Sequence, residues 1–416
     1  MIHDIAVIGG GAAGLCAAIE AARAGADTVI IEGNEACGRK LLSTGNGRCN
    51  YANLDTDIDK HFHSNNMDIA RAVLEDFSPE AVISFFEEMG VRPALVNGYV
   101  YPYTNRARDF VECLLLEIKR LGIGVINNAR AREIKKEEDG FTCFYDGANE
   151  GVIKSKTCII ACGGMAFPVS GSNGSGIALA KSFGHSSTDI APGLVELYCG
   201  RSGLKKCKGI RIKAKVSIFA DGVFAATDTG EVQLTEMGIS GIPVFNVSRH
   251  ALLALKRGRE AKAELDLLPD VKDAEELLTK RFLDNGWGKS VSEALMGLFD
   301  KRIIELLLKE AKVPANEDAN LISQKQIRDI VRAIKGLKVG ITGSGGFKKA
   351  QITAGGIRLT EIDPVSMESV LCRGLYLCGE LLDADAVCGG YNLTWAWAGG
   401  IRAGRSAAGR VLSGEE

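Results

Sequence analysis

No stretch of this 416-residue sequence is apolar for long enough to span a bilayer: residues 2–24, the longest such region, are interrupted by polar residues and glycine at spacings that suit a strand and a helix. A surplus of one charge is also missing. Lys and Arg total 50 against 52 Asp and Glu, a balance that gives no general attraction to polyanions or anionic lipid, so neither a nucleic-acid nor a membrane partner is expected. The 12 cysteines include no CxxC pair and the 5 histidines do not cluster, which removes the usual signals of a zinc site or a redox dithiol. Cys199 and Cys207 are the nearest pair able to bridge, but reduced thiols are expected. Prolines number only 9, and there is neither a low-complexity linker nor an internal repeat. The apolar start lacks a basic leader and a small-residue cleavage site, so a cytoplasmic location is expected.

Glycine, at 50 residues, is the one excess, and without a Gly-X-Y period it points to turns and to close backbone approach to a ligand. With 46% hydrophobic residues in a chain of this length, two or three structural units are expected. The run from Asp4 to Ile8 ends abruptly in Gly9-Gly10-Gly11-Ala12-Ala13-Gly14, small residues then recur at helical spacing to Gly25, and Thr28 to Ile31 forms a second strand closing in Glu32. This is a βαβ unit carrying GxGxxG. Gly9 allows the turn, Gly11 lets a pyrophosphate approach the helix N-terminus, and Gly14 lets the helix pack on the sheet. Glu32, eighteen positions after Gly14, is placed to accept hydrogen bonds from an adenosine ribose.

Further along, helices are predicted over Ser78–Gly90 and over Ala107–Leu121, the second capped by Thr104 or Asn105. Strands are predicted over Phe141–Tyr145 and Thr157–Ala161, the latter running through Cys162 into Gly163-Gly164 like the first junction. Ile210–Phe219 reads as a strand, with turns at Asp221-Gly222 and at Thr229-Gly230. Helical patterns cover Asp273–Leu283, Val291–Lys312 and Gln324–Ile334. Short strands return near Gln351–Thr353 and Gly374–Gly379, and a small-residue helix runs from Leu393 to Gly409.

Motif and acid do not separate NAD from FAD, but the next loop does. Gly38, Arg39, Lys40, Leu41, Thr44, Gly45, Asn46, Gly47, Arg48, Cys49 and Asn50 belong to a polar, glycine-dense stretch that a nicotinamide dehydrogenase does not need. FAD has a pyrophosphate, ribityl chain and ring system to hold along an extended path. Arg39 and Lys40 are read as balancing phosphate charge. The loop GRKLLSTGNGRCN (38–50), with ACGGMAFPVSGSNGSG (161–176), TEMGISGIPVFNVS (235–248), TAGGIRLTEIDPVSMES (353–369) and GLYLCGELLDADAVCGGYNLTWAWAGG (374–400), resembles the bacterial flavoprotein family known as HI0933-like or YhiN-like, which includes aminoacetone oxidases and the bile-acid pathway reductase BaiN. The resemblance runs nearly the whole chain. It departs from the family's common wording at Tyr99, Glu236, Val370 and Ala386.

This resemblance implies an α/β, glutathione-reductase-like FAD domain of the Rossmann type (residues 1–191 with 348–416), interrupted by a β-barrel-like insert (192–268 with 336–347) and a helical subdomain (269–335). It further implies that Gly379, Glu380 and Asp383, with Gly390, Tyr391, Asn392 and Leu393, reach the ribityl chain and ring of FAD, and that Ala131 meets adenine through its main chain. Tyr391, Tyr101 and Cys49 are the candidates for acting on a small-molecule substrate, while His61 and His63 read as solvated loop residues. Gly171–Gly176 follows no buried strand, so a separate NAD domain is rejected and NAD(P)H would visit the flavin transiently. The leading reading is a reductase of an enone C=C bond in a hydrophobic ring ketone such as a 3-dehydro-bile acid. An amine oxidase of the aminoacetone type and a flavoprotein of tRNA modification are the alternatives. Oligomeric state is not legible.

Overall fold

The computed structural model describes residues 2–148, 150–200 and 202–414. Contacts divide the chain into two compact units, residues 1–192 with 351–416 and residues 193–350. The first is built on β1 (Ile2–Ile8), α1 (Ala12–Arg23), β2 (Thr28–Ile31), the short α2 (Ile58–His61), the hairpin β3 (Pro93–Val96) and β4 (Tyr99–Pro102), α3 (Ala107–Arg120), β5 (Gly124–Ile126), β6 (Ala129–Glu137), β7 (Gly140–Gly147), β8 (Gly151–Ile160), β9 (Leu375–Leu377) and α4 (Tyr391–Ser413). The main sheet runs β5-β2-β1-β8-β7-β6, and β9 adds to the C-terminal half of β8. β5, β2, β1, β8 and β9 are mutually parallel, with Ile31, Ile160 and Leu377 in one row with Ile8. Four of these strands run at once into an acid or a glycine-bearing turn. Gly9 follows β1, Glu32 follows β2, Ala161-Cys162-Gly163 follows β8 and Cys378-Gly379 follows β9. All leave the same carboxyl edge, where open α/β sheets bind their ligands.

Why the helices lie so close is written in their small residues. A Cβ on Gly14 would fall 1.8 Å from the Gly9 carbonyl oxygen, so α1 can approach β1 only without one. α4 crosses α1 in the same way, a Cβ at Gly400 or Gly404 meeting the Ala13 or Ala17 oxygen at 2.2 Å. Trp395 and Trp397, both buried, anchor α4 by donating from Nε1 to the Gly379 and Tyr51 carbonyls at 3.0 Å each. The helix begins at Tyr391, after the left-handed Gly390, two residues earlier than the sequence predicts, and it extends to Ser413.

Residues 193–350 contain a closed barrel of Leu197–Cys199, Gly238–Ser240, Val223–Leu234, Arg211–Ala220, Ala261–Asp266 and Leu337–Ser344. The helix Ile242–Lys256, absent from the sequence expectations, packs on its strands. Helices Ala274–Thr279, Lys301–Ala311 and Gln324–Lys335 follow.

Three expectations fail. Thr229-Gly230 is no turn: both residues lie inside the strand Val223–Leu234, opposite Lys215 and Ala214, because a long hairpin partner outweighs local turn chemistry. Val291–Lys312 is not one helix but Val291–Ala294 and Lys301–Ala311, separated around Gly297, whose φ of +82° a helix does not allow. α3 is not capped by a side chain of Thr104 or Asn105; Arg106 holds the cap position, and Asn105 is left-handed with φ +56°.

Candidate active site

At the carboxyl edge of β1, an added Cβ on Gly9 would meet the Ala161 oxygen at 2.7 Å, and φ is +103°. Gly11 is different: a Cβ there would meet nothing within 4 Å, and its φ of −83° is ordinary. The fold needs glycine at 9 and 14, whereas at 11 only something bound beside the N-terminus of α1 would need it. Ala12 and Ala13 open that helix, whose unpaired N–H groups and dipole favour an anion.

Glu32 is buried at the end of β2. Oε2 accepts from the Gly10 N–H at 2.7 Å, and Oε1 accepts from Asn34 N at 2.7 Å and Asn34 Nδ2 at 2.6 Å. A carboxylate has about four acceptor sites, so one remains open for a ribose hydroxyl, and a second opens when the Asn34 amide turns aside. Ala129 N donates to the Glu32 carbonyl at 2.9 Å, and Ala131 lies two residues on, beside a register shift in the β6–β7 pairing. The main chain around Ala131 thus stands next to the acid.

The loop 38–50 folds over this edge. Gly38 N donates to the Gly10 carbonyl at 2.7 Å, and a Cβ on Gly38 would lie 2.8 Å from Val111 Cγ1. Leu41 is buried, and Thr44 Oγ1 donates to its carbonyl at 2.6 Å. Gly45, Asn46 and Gly47 are all left-handed, with φ of +55°, +58° and +81°, and a Cβ on Gly47 would again meet nothing within 4 Å. The Asn50 side-chain oxygen is buried and accepts no hydrogen bond among the described residues. An orphaned acceptor and two open glycine faces along one edge suit an extended ligand with hydrogen-bond donors and a phosphate, as FAD is.

Other predicted site residues are spent on the protein itself. Lys40 pairs with Glu380, whose other oxygen accepts from Thr353 N at 2.9 Å, so one donor of the Lys40 ammonium is already held by a carboxylate. Arg39 reaches Asn34 Oδ1 at 3.3 Å. Asp383 is buried and its Oδ2 accepts from Asn65 N and Nδ2 at 3.2 and 2.8 Å. The Asn392 amide clamps the main chain of Ala386 and Val387, leaving its backbone, with Leu393, at the first turn of α4. Cys162 Sγ donates to the Ile8 carbonyl at 3.3 Å, and Gly163 is left-handed at φ +71°. Gly379 is left-handed too, with only 2.8 Å between its Cβ position and that of Ala13.

Among the catalytic candidates, Cys49 is fully buried and burial pushes its thiol up to about 12, so it is neutral at physiological pH and a poor nucleophile. Tyr101 is nearly buried beneath the Arg48 guanidinium, which lies 4.6 Å from the ring centroid and reaches the hydroxyl at 3.4 Å. Tyr391 is buried as well, and its phenol is pushed up first by burial and then by Asp55, Tyr99 and Asp57. His61 is not the solvated loop residue that its sequence surroundings suggest. It ends α2, is buried, and stacks on Tyr391 with ring centroids 4.2 Å apart and planes at 14°. Its Nε2 lies 2.8 Å from Asp55 Oδ2. The signal that could have found it is the pairing of Phe62-His63 with Ala386-Asp385, which spans more than three hundred residues and leaves no local trace.

The family description "HI0933-like protein Rossmann domain" matches residues 3–406. The chain belongs to this family. A 3-dehydro-bile acid delta(4,6)-reductase of Clostridium scindens is 40% identical over 414 residues, covering 98% of this chain and 100% of that protein. Ribosomal RNA dihydrouridine synthases of Escherichia coli and Haemophilus influenzae are 27% and 26% identical, covering 95% and 94% of this chain and 95% of each. Among solved structures, E. coli quinol fumarate reductase FrdA aligns with a TM-score of 0.52 at 17% identity over 100% of this chain and 71% of that one. The 3-ketosteroid delta1-dehydrogenase of Sterolibacterium denitrificans aligns at 0.51 and 12% identity, over 98% and 99%. These distant likenesses bear on the fold alone. As a member of the family, the chain is a flavin-dependent oxidoreductase with a Rossmann-type FAD-binding domain.

Proposed function

We propose that this protein is an FAD-dependent reductase that adds hydrogen across a C=C bond conjugated to a carbonyl, with a hydrophobic ring ketone such as a 3-dehydro-bile acid as substrate and NAD(P)H as electron donor. The observation that carries this reading is the Arg48–Tyr101 pair: a guanidinium and a phenol side by side next to the left-handed 45–47 turn. Hydride addition to an enone drives negative charge onto the carbonyl oxygen, and two donors at one point stabilise that charge as it develops. The residues that would hold FAD are Glu32 at the ribose, the α1 N-terminus with Gly11 at the pyrophosphate, Ala131 at the adenine, and the 44–50 loop with the α4 N-terminus at the ring. Bound there, FAD supplies the two-electron chemistry; the chain's part is to orient the substrate, polarise its carbonyl and deliver a proton.

The named relatives support the reaction type. A bile-acid delta(4,6)-reductase and a dihydrouridine synthase both, by their names, saturate a ring C=C bond conjugated to a carbonyl. A second reading, in which that ring is a uracil in RNA, is favoured by one observation: the balanced total hides an uneven distribution. Residues 193–350 carry 27 Lys and Arg against 20 Asp and Glu, while the remainder carries 23 against 32. A basic unit attached to an acidic one is a recognised sign of polyanion contact.

Anaerobic stopped-flow mixing decides between the readings. NADH or NADPH should bleach the bound flavin, and an enone steroid should restore its colour faster than air does. Bleaching by aminoacetone, with peroxide formed on admission of oxygen, would overturn the reductase reading. Reoxidation by a uridine-containing ribosomal RNA fragment but not by the steroid would move the substrate to the second reading.

A further inference from the structure

Asn50 is only 8% exposed, yet its side-chain oxygen accepts nothing among the described residues. The next residue fixes it in place: Tyr51 N donates to the Val100 carbonyl at 2.9 Å, and the Tyr51 carbonyl accepts from Trp397 of α4. A buried acceptor without a donor costs stability, so a rigidly held one on a binding edge points to a donor that arrives with the ligand. The oxygen faces the start of α4. It lies 3.1 Å from where a Cβ on Gly390 would stand, and Gly390 caps that helix with φ +96°. Leu393 N and Thr394 N both donate to the Gly390 carbonyl at 3.0 Å, which leaves the Tyr391 and Asn392 N–H groups with no carbonyl of the helix to bond. Asn53 Nδ2 pins the turn before them by donating to the Gly389 carbonyl at 2.9 Å.

α4 and α1 run in the same direction, with Gly400 beside Ala13 and Gly404 beside Ala17. Tyr391 stands nine residues before Gly400, so at about 1.5 Å per residue the helix begins roughly 14 Å beyond the level of the α1 N-terminus. A ligand whose pyrophosphate sits at α1 meets the start of α4 with its far end, where FAD carries its ring. The pyrimidine edge of that ring alternates an acceptor, a donor and an acceptor: the C2 carbonyl, N3–H and the C4 carbonyl. An acceptor beside helix N–H donors is complementary to it. We propose that Asn50 reads this edge, its Oδ1 accepting from the flavin N3–H while the α4 N-terminus faces the adjoining C2 carbonyl. This rests on the placement of FAD given above, not on the choice of an enone as substrate. A Cβ on Gly45 would lie 2.8 Å from Asn50 N and 3.6 Å from Tyr101 Cε1, so the ring anchor and the proposed carbonyl donors share one turn.

A flavin methylated at N3 isolates this contact, because it keeps the carbonyls, ribityl chain and pyrophosphate but has no N3–H. Titrated into the flavin-free full-length protein and followed by flavin fluorescence, 3-methyl-FAD should bind at least about tenfold more weakly than FAD. N50A removes the acceptor and leaves room for the methyl group. It should bind FAD about tenfold more weakly than the unaltered protein and lose the discrimination between the two flavins. N50L keeps the bulk of Asn50 without its acceptor and should lose a similar factor for FAD, which carries the test if N50A does not fold. Equal affinity of the unaltered protein for both flavins overturns the proposal and hands the orphaned oxygen to a ribityl hydroxyl. Discrimination that survives undiminished in N50A overturns it as well, because N3–H would then have another acceptor, and so does an unchanged FAD affinity in N50L. Binding of neither flavin refutes the placement of FAD on which the proposal rests. Reoxidation by enones bears on the substrate alone, so a failure there is told apart from a failure here.

Discussion

At the scale of single residues, the two kinds of glycine in the opening turn make opposite predictions. Gly11→Ala introduces a methyl group into space that the protein does not fill, at a backbone angle any residue adopts. Its melting temperature without cofactor should be unchanged, within the roughly 0.5 kcal/mol typical of neutral surface changes, while FAD retention on dilution collapses. Gly14→Ala forces a methyl group into the Gly9 carbonyl and should prevent folding, seen as insoluble protein. If Gly11→Ala retained FAD normally, the pyrophosphate would have to pass elsewhere. Glu32→Gln tests the ribose contact. Hydrogen bonds to a charged acceptor are worth about 1.5 to 3 kcal/mol, so cofactor affinity should drop by at least about tenfold. Because Glu32 also ties Gly10 to Asn34, Glu32→Ala should lower the melting temperature as well. Loss of FAD in Glu32→Ala but not in Glu32→Gln would mean that the acid acts only through the loop.

At the scale of elements, helix contact and acid sensitivity can be tested separately. Gly400→Ala pushes α4 away from Ala13 and should destabilise the protein by about 1 to 3 kcal/mol, the usual cost of overpacking. His185 sits buried between Glu361, Nδ1 to Oε2 at 3.0 Å, and Ser369, Nε2 to Oγ at 2.8 Å. Burial pulls its proton affinity below the ordinary range, against the smaller opposing pull of Glu361. The unfolded chain therefore binds a proton more readily, so this stability is present above about pH 6.5 and is lost as pH falls towards the depressed value. Thermal melts from pH 7 down to about pH 5 should show His185→Gln losing less stability than the unaltered protein. Equal losses would show that His185 does not titrate in that range. Elements also show what sequence can and cannot reveal. The β1-turn-α1-β2 unit is legible because its apolar period and glycine spacing are local, and so are the hairpin turn at Asp221-Gly222 and the helix after Ser78. Thr229-Gly230 looks like a turn because the strand opposite it, which supplies the stabilising partner, is invisible in the local pattern. His61 looks solvated because its cover, Tyr391, is distant in sequence, and Lys40 looks free because Glu380 is.

At the scale of the whole molecule, the uneven charge is the feature most open to experiment. Many cations of residues 193–350 are already paired on the surface, Lys205 and Lys208 with Glu236 and Arg211 with Glu231. Such exposed pairs are weak and yield to a competing polyanion. The full-length protein should bind a heparin column at low salt despite its net charge of −2, and elute as ionic strength rises. Passage without retention would show that the excess positive charge is not gathered into a usable surface. It would weaken the RNA reading without touching the enone chemistry.

The row formed by Ile31, Ile8, Ile160 and Leu377 has a consequence for the order in which the protein is made. β1 leaves the ribosome early, but β9 and α4, which complete the same edge, follow more than three hundred residues later. Residues 193–350 form a continuous unit and can fold as they emerge. The Rossmann unit must wait, its apolar β8 edge and the Ala-rich face of α1 uncovered, until the segment carrying Leu375 and Gly400 arrives. Stalled nascent chains released before residue 375 should thus contain a protease-resistant barrel fragment beside an unprotected N-terminal half, and FAD should add protection only once α4 has been synthesised.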